Sequence, residues 1–267
     1  MKQQKVTFIG GGNMSEALFS GLLKSGHAAA KITVADVEEE RLQALHEQYA
    51  VQTSLDNVEA IQHADVVVLA VKPQQIEAVL KAISPSLTSE TTLVSIAAGL
   101  GIEKMCGFAQ RDDLSFVRVM PNTPALLGAG MSVLFSDAGQ EHQDRAEYIL
   151  AASGKTAWVD QERLLHAVTA VSGSGPAYFF LLAEMMAAAG ESHGLSKELA
   201  AQLASQTALG AGRMLVESGR DAATLRSQVT SPGGTTQAAL DKMYERDLPT
   251  AIRQGVQAAF KRSKALA

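Results

Sequence analysis

Cysteine is almost absent from this chain of 267 residues, Cys106 being the only one. An intrachain disulfide is therefore excluded, and so is a zinc site built on cysteine ligands. Proline is also scarce, with seven residues spread thinly, which excludes collagen-like or proline-rich character. Positive charge is not in excess: 23 Lys and Arg face 28 Asp and Glu, a formal net charge of −5. A nucleic-acid surface or a polybasic membrane patch is not expected of such a chain. Long apolar runs are missing too. Val6 to Ile9 is too short for the core of a signal peptide. The stretch from Pro176 to Gly190, interrupted by Glu184, reads as too short to span a bilayer. These absences predict a soluble, cytoplasmic protein without membrane or nucleic-acid partners. What is present is a 46% hydrophobic share. A chain of this length buries roughly 70–75% of its unfolded surface without a disulfide or metal.

The two halves differ in pattern. Up to about residue 160, short β-branched runs alternate with amphipathic stretches. The runs are Val6–Ile9, Ile32–Val34, Val66–Leu69, Thr92–Ile96, Phe116–Val119 and Met131–Phe135. Most are apolar on both faces, as parallel strands covered by helices are. The alternation predicts an α/β fold with a doubly wound sheet of the Rossmann type over 1–160. Beyond it the strand signals stop. Residues 161–267 read as about five Ala- and Leu-rich helices, punctuated at 172–176, 190–196, 219–221, 231–234 and 247–249. Ala183–Ala189 and Ala200–Ala211 carry small residues on nearly every face. Helices apolar all round need cover on all sides, so a homodimer that interleaves them is expected. A compact monomeric bundle is the alternative.

The first strand runs into Gly10-Gly11-Gly12-Asn13-Met14-Ser15. Gly10 suits a tight turn, Gly12 a close approach of backbone to pyrophosphate, and Ser15 close helix–strand packing. A lone pattern of this kind is weak, but its place after a first strand and before a helix is where a dinucleotide fold begins. Asp36 lies 24 residues after Gly12, where a carboxylate grips the adenosine ribose or merely starts a turn. Lys72, in Ala70-Val71-Lys72-Pro73, holds a phosphate or ribose or is a solvated loop lysine. Ser95-Ile96-Ala97-Ala98-Gly99 is small enough for a flat nicotinamide ring to lie against it. Met120-Pro121-Asn122-Thr123-Pro124 is a stiff loop, a wall for the crevice or a plain turn. Val171-Ser172-Gly173-Ser174-Gly175-Pro176 taken alone reads as structural, with Pro176 opening a helix. Ser231-Pro232-Gly233-Gly234-Thr235-Thr236 opens another helix, as an anion nest for a carboxylate or as a capped turn.

Together, FIGGGNMSEA, AVKPQ (70–74), SIAAG (95–99), RVMPNTPA (118–125), VSGSGPAY (171–178) and SPGGTT (231–236) make the whole chain resemble the pyrroline-5-carboxylate reductases of proline biosynthesis. The resemblance implies a Rossmann domain followed by a helical dimerisation domain, with dimers assembling further, commonly into decamers. It implies reduction of 1-pyrroline-5-carboxylate to L-proline with NADPH or NADH. Gly10, Gly11, Gly12, Asn13, Met14, Ala35, Asp36, Asn57, Ala70, Val71, Lys72, Pro73, Ile96, Ala97 and Ala98 would then line the cofactor. Ser231, Gly233, Gly234, Thr235 and Thr236 would hold the substrate.

The residues also speak to the reaction. Reductases of ketones need an acid/base side chain at the reacting oxygen. Related hydroxyacid dehydrogenases carry a lysine on the helix after such a glycine segment, whereas here Ala177–Leu182 has none and the next lysine is Lys197. A cyclic imine arrives protonated, so positioning outweighs proton transfer. Thr236 is the candidate catalytic hydroxyl at the imine nitrogen, and His166 reads as a packed histidine. Two alternatives stand: a non-catalytic dinucleotide sensor, and a broader imine or hydroxyacid reductase.

Overall fold

Short runs apolar on both faces explain the centre of the computed structural model, which describes residues 3–266. Its strands are β1 (Val6–Ile9), β2 (Ile32–Ala35), β3 (Gln52–Ser54), β4 (Val66–Leu69), β5 (Thr92–Ser95), β6 (Ser115–Met120), β7 (Gly130–Phe135) and β8 (Gly154–Trp158). Along β4, Val66 and Val68 enter one apolar cluster while Val67 and Leu69 enter another on the opposite face. The first cluster takes Leu18, Phe19 and Leu22 from α1 (Asn13–Lys24), Leu42 and Leu45 from α2 (Glu39–Tyr49), and Ile149 from α6 (Gln140–Ala151). The second takes Ile76, Leu80 and Ile83 from α4 (Ile76–Ile83) and Met105 from α5 (Ile102–Ala109). The short α3 (Asn57–Ala60) is capped by Asp56, which accepts from the amides of Val58 and Glu59. Each of these large side chains contributes about 1.5–3 kcal/mol by leaving water.

The eight strands form one sheet in the order β3-β2-β1-β4-β5-β6-β7-β8. Its order reverses between β1 and β4, the switch point at which doubly wound sheets open a crevice. Two features depart from the sequence-based expectation. The sheet is mixed, because β7 runs antiparallel to β6. Only a 3₁₀ turn at Thr123–Leu127 joins them, and a parallel return would need a longer crossover. In addition, β3 and β8 join the edges as polar or half-buried strands, without the apolar runs that mark the centre.

After β8 a 3₁₀ turn at Glu162–Leu164 leads through α7 (Leu165–Val168) and a π-helical turn at Thr169–Gly173 into α8 (Gly175–Ser192). Then come α9 (Lys197–Glu217), α10 (Ala222–Gln228), α11 (Thr235–Glu245) and α12 (Leu248–Ala265). Ser196 caps α9 and Asp221 caps α10 through side-chain oxygens. One compact unit runs to Gly173 and takes back the chain from Ala259, and the other is Ser174–Ala258. Met1, Lys2 and Ala267, which the expected domains include, lie outside the described residues.

The run Glu162–Ser192 corrects one expectation: it is long and apolar enough to cross a membrane by length and composition. Glu184 does not interrupt it, because α8 continues unbroken through that residue from Gly175 to Ser192. On α8, Phe179, Phe180, Leu181 and Leu182 are each at least half exposed, which leaves an apolar surface for another chain to cover.

Candidate active site

A single register row crosses the sheet at the carboxyl ends of its strands. Ala35 pairs with Ile9, Ile9 with Leu69, Leu69 with Ser95, and Ser95 with Arg118. Asp36, Gly10, Ala70 and Ile96 therefore leave the sheet at one level. The Gly10 amide donates to Ala35 O at 2.7 Å and the Ala70 amide to Ile9 O at 2.9 Å. Parallel pairing thus brings together loops that lie far apart in sequence.

The glycine loop is held from several directions. Gly10 has φ +101°, and a Cβ there would stand 2.8 Å from Ala70 O. Ser15 is buried and donates its hydroxyl to Gly10 O at 2.5 Å. Gly12 precedes α1 in an extended conformation with no side-chain cap. A Cβ on Gly12 would meet nothing within 4 Å. Open space in front of uncapped first-turn amides, at the positive end of a helix dipole, fits the pyrophosphate of a dinucleotide.

Asp36 sits where the ribose would be read, and its oxygens also bind the loop. Oδ2 accepts the Gly11 amide at 2.6 Å and Oδ1 accepts the Glu38 amide at 3.2 Å. Arg41 Nε donates to the Gly11 carbonyl at 2.8 Å. Both backbone groups of Gly11 are therefore held by side chains of opposite charge. The Arg41 guanidinium also pairs with Glu16 at 2.5 Å, and Glu16 accepts the Tyr49 hydroxyl at 2.7 Å. That tyrosine bond, with Arg41, keeps the Glu16 carboxyl below its ordinary range despite burial. None of Arg41, Glu16 and Tyr49 was singled out as a loop anchor from the sequence. Their signal is slight: a cation and an acid on facing helices.

The other candidates sort by element. Asn57 opens α3, half-buried. Val71 and Pro73 are half-buried and Lys72 is exposed, its amide held by Gln75 Oε1 at 3.2 Å. Ala97 is buried and Ala98 exposed. Asn122 explains why two motifs occur together: its Nδ2 donates to Ser172 O at 3.1 Å, while its Oδ1 accepts the Met131 amide at 2.9 Å. His166 Nδ1 lies 2.9 Å from Ser263 Oγ, and burial, with the Arg118 and Lys264 charges, lowers its pKa.

In the helical unit, Gly233 has φ +71° and the Gly234 amide donates to Ser231 O at 3.0 Å. α11 starts immediately after, with Gly234 extended and no side-chain cap. The first-turn amides at Thr235 and Thr236 are then donors for an anion. Thr236 is half-buried, whereas Ser231, Gly233 and Thr235 are exposed.

Comparison with known proteins agrees with both parts. Residues 5–99 match a family model described as NADP oxidoreductase, coenzyme F420-dependent, and residues 162–266 match one described as pyrroline-5-carboxylate reductase dimerisation. A pyrroline-5-carboxylate reductase of Pseudomonas aeruginosa is 43% identical over 100% of this chain and 98% of its own. The chain belongs to the pyrroline-5-carboxylate reductase family. Among solved pyrroline-5-carboxylate reductases, one from Coxiella burnetii superposes with a TM-score of 0.94 at 37% identity, covering 100% of this chain and 99% of that one. The Plasmodium falciparum pyrroline carboxylate reductase with NADP bound gives a TM-score of 0.88 at 30% identity, with 100% and 99% coverage. The dimerisation model covers the exposed apolar face of α8, so this reductase-family chain is a homo-oligomer rather than a monomeric bundle.

Proposed function

We propose that this chain reduces the ring C=N bond of 1-pyrroline-5-carboxylate to L-proline, the last step of proline biosynthesis, in the cytoplasm. The observation that carries this reading is the register row at the switch point, with the open cradle at Gly12 beneath it. Bound NADPH or NADH supplies the hydride. The segment 1–160 holds the cofactor, with Gly10–Met14 at the pyrophosphate, Ala35, Asp36 and Asn57 toward the adenosine, and Ala70–Pro73 and Ile96–Ala98 along the remaining length.

The segment 161–267 forms the dimer and binds substrate, and the dimers assemble to a decamer. The amides of Thr235 and Thr236 hold the substrate carboxylate, supported by Ser231, Gly234 and the turn at Gly233. Thr236 places its hydroxyl at the ring nitrogen, donating a proton or ordering the water that does. α8 offers no lysine for a ketone oxygen, which favours the imine over a hydroxyacid.

The test follows cofactor absorbance with the imine and its open-chain ketoacid analogues, in the wild type and in Gly234→Leu. We expect turnover of the cyclic imine alone. Gly234→Leu should lose activity by ~100-fold or more while cofactor affinity stays within about twofold. Equal loss of both would make the nest structural.

A further inference from the structure

Ala97 and Leu100 seat the loop from Ile96 to Gly101 in the second apolar cluster, and the Ile96 amide donates to Leu69 O at 3.2 Å, but beyond Ile96 the loop has little polar anchorage of its own. Its own side chains are small or apolar, and the nearest local bond, from the Ala97 amide to Ser95 Oγ, is long at 3.4 Å. Its polar fixing comes from outside. At one end, the Ile102 amide that begins α5 donates to Glu162 Oε1 at 2.9 Å. The same oxygen accepts Arg118 Nη1 at 3.0 Å. Arg118 is 6% exposed and ends the register row, paired with Ser95. A Cβ on Gly101 would lie 3.5 Å from that oxygen, so the carboxylate rests directly against the loop. Near its middle, Gly99 has φ +84° and a Cβ there would meet Leu266 O at 2.9 Å. The turn carrying Leu266 is fixed in its turn by buried Ser263 bonded to His166.

We propose that Glu162 is a positioning residue: oriented by Arg118 and acting through the Ile102 amide, it holds residues 96–101 in the shape against which the nicotinamide half of the cofactor lies. The proposal rests on the reading above of Ile96–Ala98 as cofactor-lining. Its physical basis is the double use of one oxygen. A carboxylate bonded to a buried guanidinium is fixed in direction as well as place, so the amide it receives is fixed too. Hydride transfer depends steeply on such placement, since a displacement of about 1 Å costs on the order of 100-fold in rate.

The experiment compares two ligands by calorimetry on the full chain: NADPH, and adenosine 2′,5′-bisphosphate, which lacks the nicotinamide half. Glu162→Ala should weaken NADPH by ~10-fold, lower kcat by ~10- to 100-fold and leave KM for the imine within about threefold, with the bisphosphate unchanged. Glu162→Gln keeps an acceptor oxygen and should restore most of both losses. Glu162→Asp keeps the charge but withdraws the oxygen, and should show the same split at smaller size even if the alanine variant does not fold. Equal weakening of both ligands, or no change in NADPH affinity and kcat, would overturn the proposal. The same pair of measurements with NADH and ADP, which lack the 2′-phosphate, should give the same split, and a wild-type chain that bound none of the four would instead remove the reading of the crevice on which it stands.

Discussion

Two glycines in one loop should respond oppositely to an added methyl. At Gly10 the methyl meets Ala70 O at 2.8 Å and the backbone is left-handed. Gly10→Ala should cost about 2–4 kcal/mol in chemical denaturation. At Gly12 the methyl meets no protein atom within 4 Å. Gly12→Ala should cost no more than about 1 kcal/mol, the difference between Gly and Ala at a helix N-cap, yet weaken NADPH binding by ~10-fold, because the methyl would fill the proposed pyrophosphate cradle. We propose that Asp36 governs the choice of cofactor. A carboxylate there accepts a ribose hydroxyl and repels a 2′-phosphate. Arg41, bonded to Gly11 and Glu16, is drawn to the glycine loop rather than left free to neutralise that phosphate. NADH should therefore be used readily, and Asp36→Ser should raise the NADPH-to-NADH ratio of kcat/KM by ~10-fold. Because Asp36 also holds the Gly11 amide, Asp36→Asn is the control that removes charge while keeping an acceptor. An unchanged ratio in both variants would refute this account.

Elements were legible where burial is two-sided. Val66–Leu69 is apolar throughout because both its faces enter clusters. Gln52–Ser54 is an edge strand, and its polar side chains carry no such signal. The loop motifs were legible one by one, but the Asn122 bonds joining two of them arise only when the sheet brings distant segments together. The same holds for His27, just past the end of α1. Its Nδ1 bonds the Tyr148 hydroxyl on α6 at 3.0 Å, and Nε2 has no partner among the described residues. Burial first, then the Lys31 charge, lowers its pKa from 6.5. His142 and His166 are lowered as well, each chiefly by burial. For a histidine with a depressed folded-state pKa, the unfolded chain takes up the proton first, so stability falls as pH drops through the ordinary histidine range. The melting temperature should be level above pH ~7 and decline toward pH ~5. His27→Asn should flatten that decline, and an equally steep profile would exclude His27 as a source.

At the scale of the whole molecule, the helical unit has few buried side chains of its own. Phe180 is 66% exposed and Met185 51%, surfaces that a second copy removes from water. Phe180→Glu should give single-chain mass by sedimentation and lower activity by ~10-fold or more, since obligate dimers seldom keep a stable folded protomer. Full activity at single-chain mass would contradict the proposed shared helical domain. The return of the chain from Ala259 into the first unit has a separate consequence, for the order of folding. The sheet and its crevice close on a turn that the helical segment separates from them by a long stretch of sequence. Contacts at such separation form slowly, so the sheet should assemble before Leu266 reaches Gly99. Refolding should then regain affinity for the adenosine fragment in an early phase, and for the complete dinucleotide only in a later one.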